Sequence, residues 1–243
     1  MIIDVEGIVL NSRSYGDSSK ILDIFTPNYG VIGVIAKGCK TMKSSLRSFT
    51  DKLTYANFVI YYKKDKLSIL SEASSIDNFS KIKNDIEKIS AANFILDLVN
   101  QVYKQNPSNE LYDLLISCLK KINEGFNPLV IINILELKLL DYLGIMPNLN
   151  GCTICGNKNV ITLSSDKGGY LCENCRTREP IVSKGAIKLI RMYYLVDINK
   201  ISKLDLSRDV TLEVNNFIDN YYDQYSGLYL KSKQLLKNVL KIK

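Results

Sequence analysis

The chain has 243 residues, 46% of them hydrophobic and 23% charged, a balance that suits a folded globular protein of one large or two modest domains and excludes a disordered one. Lys plus Arg number 32 against 25 Asp plus Glu, a formal charge of +7 that favours phosphate-bearing partners. There is no histidine, which excludes a Ser-His-Asp or Cys-His nucleophile, a His-Glu-x-x-His metalloprotease helix and every mixed Cys/His zinc site.

The opening Met1-Ile-Ile-Asp-Val-Glu6 puts acids where a secretory signal carries a basic segment, so a reducing cytoplasmic setting is expected. Up to about residue 75, apolar and polar residues alternate between turn signals such as Lys63-Lys64-Asp65-Lys66. This pattern predicts strands at 2–10, 21–25, 31–36, 55–62 and 67–71. Five short strands suit a small closed barrel of the OB type, which removes exposed sheet edges. Between two of them, Lys37-Gly-Cys-Lys40-Thr-Met-Lys43-Ser-Ser-Leu-Arg47 holds four cations and no acid. Lys37, Lys40, Lys43 and Arg47 are candidates for tracking a phosphate backbone, and Phe58, Tyr61 and Tyr62 for stacking on bases; the alternative is a solvated loop beside a barrel core. Gly33 and Gly38 have the spacing of a phosphate-binding P-loop without its Gly-Lys-Ser/Thr ending, so no nucleotide site is read there.

From about Asp77 the apolar spacing becomes helical. Ile82, Ile86, Ile89, Leu96, Val99 and Tyr103 predict one stripe on a long helix, ended by Pro107-Ser108-Asn109. A second helix is expected at 110–122. A third, at 129–143, is apolar almost all round, yet Asn133, Glu136, Lys138 and Asp141 keep it well short of a membrane span. A loop-rich insert then runs to about residue 180, and helical pattern resumes at Ser183.

The insert carries Cys152-Thr-Ile-Cys155 and, after sixteen intervening residues, Cys172-Glu-Asn-Cys175. Each Cys-x-x-Cys places two thiolates on one turn, and two such turns supply the four soft ligands of a closed tetrahedral site, so a metal here is structural. One zinc ion is expected, because its binding free energy folds a segment this short; iron, a redox dithiol or loss of the metal are the alternatives. Gly156, Gly168 and Gly169 supply tight turns around it. Arg176 and Arg178 either reach phosphate or cap the module. Cys39 and Cys118 have no ligand-spaced partner and read as buried small residues. Residues 226–243 contain Lys231, Lys233, Lys237, Lys241 and Lys243 and no acid. Lys233, Lys237 and Lys241 share a helical stripe, read either as cations favoured by a helix C-terminus or as a further phosphate contact. The fold expected is α+β: an OB-like barrel at 1–77, a helical domain at 78–148 and 181–243, and a four-cysteine zinc module at 149–180 inserted in the helical domain.

Several short motifs recur in a telling order: Tyr15-Gly16-Asp17 followed by Ile24-Phe25-Thr26 and Gly30, Lys37-Gly38 with Ser44-Ser45-Leu46, Gly144-Ile-Met-Pro147-Asn-Leu149 before Cys152-x-x-Cys155-Gly156, Gly168-Gly-Tyr-Leu-Cys172-x-x-Cys175, and Leu230-Lys231-Ser232. Along nearly the whole chain they resemble the RecO recombination mediators of bacterial DNA repair. The resemblance implies an N-terminal OB fold, a helical domain and an inserted zinc module. It further implies a non-enzymatic, cytoplasmic, nucleoid-associated activity with no membrane: binding single- and double-stranded DNA, annealing complementary strands, and working with RecR so that RecA replaces single-strand binding protein. That protein's acidic, apolar-ended tail is expected to dock on the helical domain. Lys184, Lys188 and Arg191, beside Leu189, Ile190 and Tyr193, offer cations and apolar surface for it. Cys39-Lys40 departs from the small residue and Arg of many members, keeping a lone phosphate contact without bidentate geometry. Beside the resemblance stand two alternatives: an RNA-binding or ribosome-associated OB and zinc-ribbon protein, since neither charge nor barrel tells DNA from RNA, and an enzyme using paired carboxylates or the metal.

Overall fold

A computed structural model describes residues 1–202 and 206–242. Strands β1 (Ile2–Tyr15), β2 (Ser19–Thr26), β3 (Gly30–Ala36), β4 (Tyr55–Tyr61) and β5 (Ser68–Asp77) close a barrel in the order β1-β2-β3-β5-β4. The short β3–β5 pairing is parallel and the others are antiparallel. Alternation does the sorting: Ile32, Val34 and Ala36 of β3 face inward while Val31, Gly33 and Ile35 face outward. The interior is filled by these together with Ile3, Val5, Leu22, Ile24, Ile60 and Leu70. Phe58, expected as a stacking residue, is fully buried in that interior, because it shares strand parity with Ile60 and not with Tyr61. Cys39 is buried in the same core. β1 and β5 run past the ends that alternation marks, since ladder pairs such as Tyr15↔Ser19 and Tyr55↔Asp77 continue beyond the apolar stretch.

The long helix expected from Ile82 onward is two helices, α1 (Ser80–Lys83) and α2 (Ile86–Gln105). Asp85 divides them: its carboxylate accepts from the N–H groups of Glu87 and Lys88 and so starts a new helix, leaving Ile86 exposed. α3 (Glu110–Glu124) follows, then α4 (Pro128–Tyr142), whose start is set by Pro128 at the first turn and by Asn127 accepting from Leu129 N–H. Every α4 residue from Leu129 to Leu137 is buried, and α2, α3, α5 (Lys184–Leu195) and α6 (Arg208–Tyr225) pack around it.

Two polar side chains of α4 are buried with the rest. Asn133 donates to the Thr211 carbonyl and accepts from Asn215 on α6. Glu136, 1% exposed, is answered by α7 (Lys231–Leu240): Lys233 Nζ lies 3.6 Å from its carboxylate and 2.8 Å from Asp219, and Lys237 Nζ lies 2.8 Å from Asp219. Burial raises the Glu136 carboxyl above its ordinary range, and Lys233 pulls it back. Lys233 and Lys237 are therefore turned inward, closing α7 over α4 and α6; Lys241 is exposed, and Lys243 lies outside the described residues.

Barrel and helices share one core that includes Ile8, Leu10, Phe25, Leu53 and Tyr55. The Phe25 ring meets Tyr103 at 5.0 Å and Tyr112 edge-on at 5.5 Å. Glu6 Oε1 accepts from the hydroxyls of Tyr55 (2.5 Å) and Tyr112 (2.8 Å), and burial together with this carboxylate holds both phenols above their ordinary range. Gly30, at φ +63°, meets Tyr103 so closely that a β-carbon would stand 1.9 Å from the Tyr103 hydroxyl oxygen. Among the described residues no helix is long and apolar enough to cross a membrane.

Removing Lys233 from the α4–α6–α7 cluster leaves the buried Glu136 carboxylate without a cation, beside an Asp219 that keeps only Lys237. Lys233→Met is expected to cost about 3–5 kcal/mol in urea unfolding, the range for breaking a buried pair. Lys237→Met, which leaves Lys233 bridging both acids, is expected to cost clearly less.

Candidate metal centre and nucleic-acid interface

The insert leaves α4 and is pinned at once by Asn148, whose N–H donates to Gly168 (2.8 Å) and whose carbonyl accepts from Tyr170 (3.1 Å). Gly169 lies between these contacts, where a β-carbon would stand 2.3 Å from the Asn148 oxygen. A hairpin of β6 (Thr162–Ser164) and β7 (Gly169–Leu171) carries the second cysteine pair. Each pair sits on a tight turn: Gly156 N–H donates to the Cys152 carbonyl at 2.9 Å, and the N–H groups of Cys175 and Arg176 donate to the Cys172 carbonyl at 3.2 and 3.0 Å.

These turns bring all four sulfurs within 4.8 Å of one another, with Cys155 and Cys172 Sγ 3.6 Å apart. Four sulfurs at the usual ~2.3 Å from one ion stand roughly 3.8 Å apart along a tetrahedron edge, so the cluster has the dimensions of a four-thiolate metal site. Although burial opposes ionisation, backbone N–H groups of Cys155, Cys172 and Ile154 draw the Cys152 thiol below its ordinary range. Cys175 moves the other way because the Cys155 sulfur shares its proton. Four thiolates this close need a cation between them, and a divalent ion reverses the second effect. The module's own core is little more than Cys152, Leu171 and Cys172, with Val160 and Cys175 at its margin. Docking adds to its order, Tyr170 Oη donating to the Ile187 carbonyl (2.6 Å) and Tyr225 Oη to that of Ser165 (3.1 Å), and within the insert Thr162 donates to the Pro180 carbonyl.

Beside the second turn, Arg176 donates to the Glu179 carbonyl at 3.0 Å and its Nε is buried, so most of this guanidinium is turned into the module. The Glu179 carboxylate accepts from the backbone of Thr177 and Arg178, and the bonds from Thr177 and from its own N–H hold it well below the usual carboxylate range. Arg178 is exposed.

The basic segment 37–47 leaves β3 as a series of turns ending in a 3-10 turn at Arg47–Phe49. Buried Cys39 anchors it, and Lys40 ties it to the β1–β2 tip, its N–H donating to Ser18 (2.9 Å) and its Nζ to Gly16 (3.2 Å). Lys37, Lys43 and Arg47 are exposed. Among the described residues none of the four cations of this loop is in an ion pair.

On α5, capped by Ser183 accepting from Ala186 N–H, residues Leu189, Ile190 and Tyr193 are buried in the main core and line no groove. Lys184, Lys188 and Arg191 are exposed on the other face, which continues into exposed Met192 and Leu195. Leu195 stands at the edge of an open groove of about 370 Å³ lined by Leu114, Lys138, Val196 and Ile198. Sequence reading missed Met192 and Leu195, although positions 184, 188, 191, 192 and 195 fall on one helical face.

Two family models match this chain: "Recombination protein O N terminal" over residues 1–79 and "Recombination protein O C terminal" over residues 83–234. Among curated proteins, the DNA repair protein RecO of Halalkalibacterium halodurans is 33% identical over 241 aligned positions, covering 97% of this chain and 94% of that protein. The protein of the same name from Listeria monocytogenes serotype 4b is 32% identical, covering 96% and 93%, and that from Bacillus pumilus is 32% identical, covering 100% and 96%.

Elemental analysis of purified protein is expected to give one metal ion per chain. Cys172→Ser is expected to release it and to open residues 149–180 to limited proteolysis while the barrel stays resistant, because the insert has too small a core to hold itself.

Proposed function

This chain belongs to the RecO family of DNA repair proteins, and on that premise we propose that it is a recombination mediator that performs no covalent chemistry. In this reading it binds single- and double-stranded DNA, anneals complementary strands and, with RecR, helps RecA load onto single strands covered by single-strand binding protein. It works in the cytoplasm at the nucleoid, and the ion held by Cys152, Cys155, Cys172 and Cys175 is zinc in a structural role, fixing the insert against α5 and α6.

The observation that carries this reading is the loop of Lys37, Lys40, Lys43 and Arg47. Four cations stand on a segment pinned to a closed barrel, without acids to neutralise them. A fixed loop meets a phosphate backbone without first losing the entropy of ordering itself. Each phosphate neutralised releases condensed counterions, which drives binding without regard to base sequence. Annealing asks for the same chemistry: the repulsion between two backbones must fall while the bases stay free to pair. Arg178, and Arg176 if it turns outward, extend the positive surface onto the metal module. For the tail of single-strand binding protein, Lys184, Lys188 and Arg191 face its acids, and Met192, Leu195 and the groove beyond them take its apolar end.

Charge reversal at Lys37, Lys40, Lys43 and Arg47 together is expected to weaken binding to unrelated DNA sequences alike. It should flatten the plot of log K against log salt by roughly 0.7 per lost single-strand contact. An unchanged slope moves the DNA path elsewhere, and tighter binding to RNA than to DNA of the same sequence favours the RNA-binding alternative.

A further inference from the structure

Met42 is the part of the basic loop that phosphate contact leaves unused. It stands between Lys40 and Lys43 and is 90% exposed, more than any other large apolar side chain among the described residues. Buried Cys39 and the contacts of Lys40 to Ser18 and Gly16 hold this segment against the barrel, so the side chain is presented outward from a fixed base. A methionine is unbranched and adaptable, and it gains most from an apolar hollow, which a phosphate backbone does not offer.

A hollow of that kind lies at the seam between the metal-bearing insert and α6. An open cleft of about 330 Å³, at the small end of the range for binding clefts, is lined by apolar Leu163, Val182 and Phe217 and by acidic Asp166, Glu179 and Glu213. Hydroxyls hold the seam, Tyr225 Oη donating to the Ser165 carbonyl at 3.1 Å and Ser183 Oγ to the Glu213 carboxylate at 2.6 Å, so the cleft is formed before anything enters it. No Lys or Arg lines it: Lys167 and Arg178, next in sequence to Asp166 and Glu179, are outside the lining. The acidic surface continues along α6, where Asp209, Glu213, Asn216, Asn220 and Asp223 recur at steps of three and four and form one stripe without a cation. Among the described residues none of the carboxylates of Asp166, Glu179, Asp209, Glu213 and Asp223 is in an ion pair. On a chain of formal charge +7 this surface repels nucleic acid and attracts cations.

The loop and the cleft are complementary in both respects: an apolar tip among cations on one side, an apolar hollow among carboxylates on the other. No barrel residue lines the cleft and the loop is pinned to the barrel, so the loop that enters it comes from another molecule. We propose that copies of this chain associate head to tail, with Met42 of one copy in the α6 cleft of the next and Lys37, Lys43 and Arg47 facing the acids of the cleft and of the α6 stripe. Two different patches meet, so each added copy leaves one loop and one cleft free, and the assembly grows with concentration. One loop in one cleft is a contact of the small, transient class, below about 1,200 Å². It engages the cations that the DNA-binding reading gives to phosphates, so association and DNA binding compete for one loop, and nucleic acid releases single copies from the assembly.

Sedimentation velocity of the full chain at rising concentration, at low and at high salt, tests this. The mean mass is expected to rise with concentration at low salt and to fall to that of one chain at high salt. Met42→Ala is expected to weaken association at least about tenfold, the lower end for burying a methionine side chain, and to leave affinity for oligothymidine within about twofold. Met42→Leu is expected to keep association. Met42→Glu, and separately Asn216→Lys with Asn220→Lys, which puts cations on the exposed side of α6, are each expected to remain single chains. Mixed together, these two variants are expected to form pairs that grow no further, since one supplies an intact cleft and the other an intact loop. Oligothymidine that saturates the chain is expected to dissolve the assembly. A chain that stays single at every concentration at low salt overturns the pairing, as does association that survives Met42→Glu, the lysine substitutions on α6 or saturating oligothymidine. Met42→Ala that loses oligothymidine affinity while associating as before also overturns it, and assigns Met42 to the nucleic acid. Each of these results leaves the DNA-binding reading standing, which fails only if the unsubstituted chain binds no DNA at low salt.

Discussion

A helix that is apolar on every side is stable in water only when other elements exclude water from all of them, and α4 imposes that condition on this molecule. Four helices surround it, and the two polar groups it carries inward add specific partners to that packing. Asn133 needs α6, and Glu136 needs a cation that only α7 brings. A buried carboxylate left alone costs several kcal/mol, so this charge adds to the apolar packing of Leu236 and Leu240, by which α7 also lies against α2.

The same arrangement decides what remains for function. The faces of α2 and α3 not given to α4 receive the barrel through Phe25, Glu6 and Gly30, and α5 and α6 receive the metal-bearing insert through Tyr170 and Tyr225. Each junction relies on a hydroxyl from an aromatic ring reaching a carbonyl or carboxylate, a contact that combines apolar area with a fixed direction. What is left free includes the barrel wall with its turns, the loop after β3 and the outer face of α5, and Lys37, Lys43, Arg47, Lys184, Lys188 and Arg191 stand exposed there.

Much of this was legible in the residues themselves. Period-two alternation placed all five strands, and the two Cys-x-x-Cys turns announced a cluster that the folded chain assembles. Other features failed for physical reasons that particular residues make plain. The 3.6 spacing from Ile82 to Ile89 ran unbroken across Asp85, because a capping carboxylate interrupts a helix without disturbing its apolar rhythm. Phe58 stands with Tyr61 among the stacking candidates with the barrel core as the alternative, and the alternative holds for it because residues three apart on a strand face opposite sides. Lys233 and Lys237 looked like free surface charge because their partners, Glu136 and Asp219, come from other helices and no local pattern joins them. The apolar residues of α5 were legible as a face, but which element that face meets is a fact of tertiary packing alone.

The pairing of Glu136 with Lys233 also sets a timetable. A polypeptide is made from its N-terminus, so the barrel strands leave the ribosome first, and their pairings are all among themselves. α4 emerges well before α7, the helix that neutralises its carboxylate. At about 5–20 residues per second, the roughly hundred residues between the two take on the order of 5–20 s to appear. At the start of that interval α4 has α2 and α3 beside it but neither α5, α6 nor α7, so part of its apolar surface and the Glu136 carboxylate stay open to water.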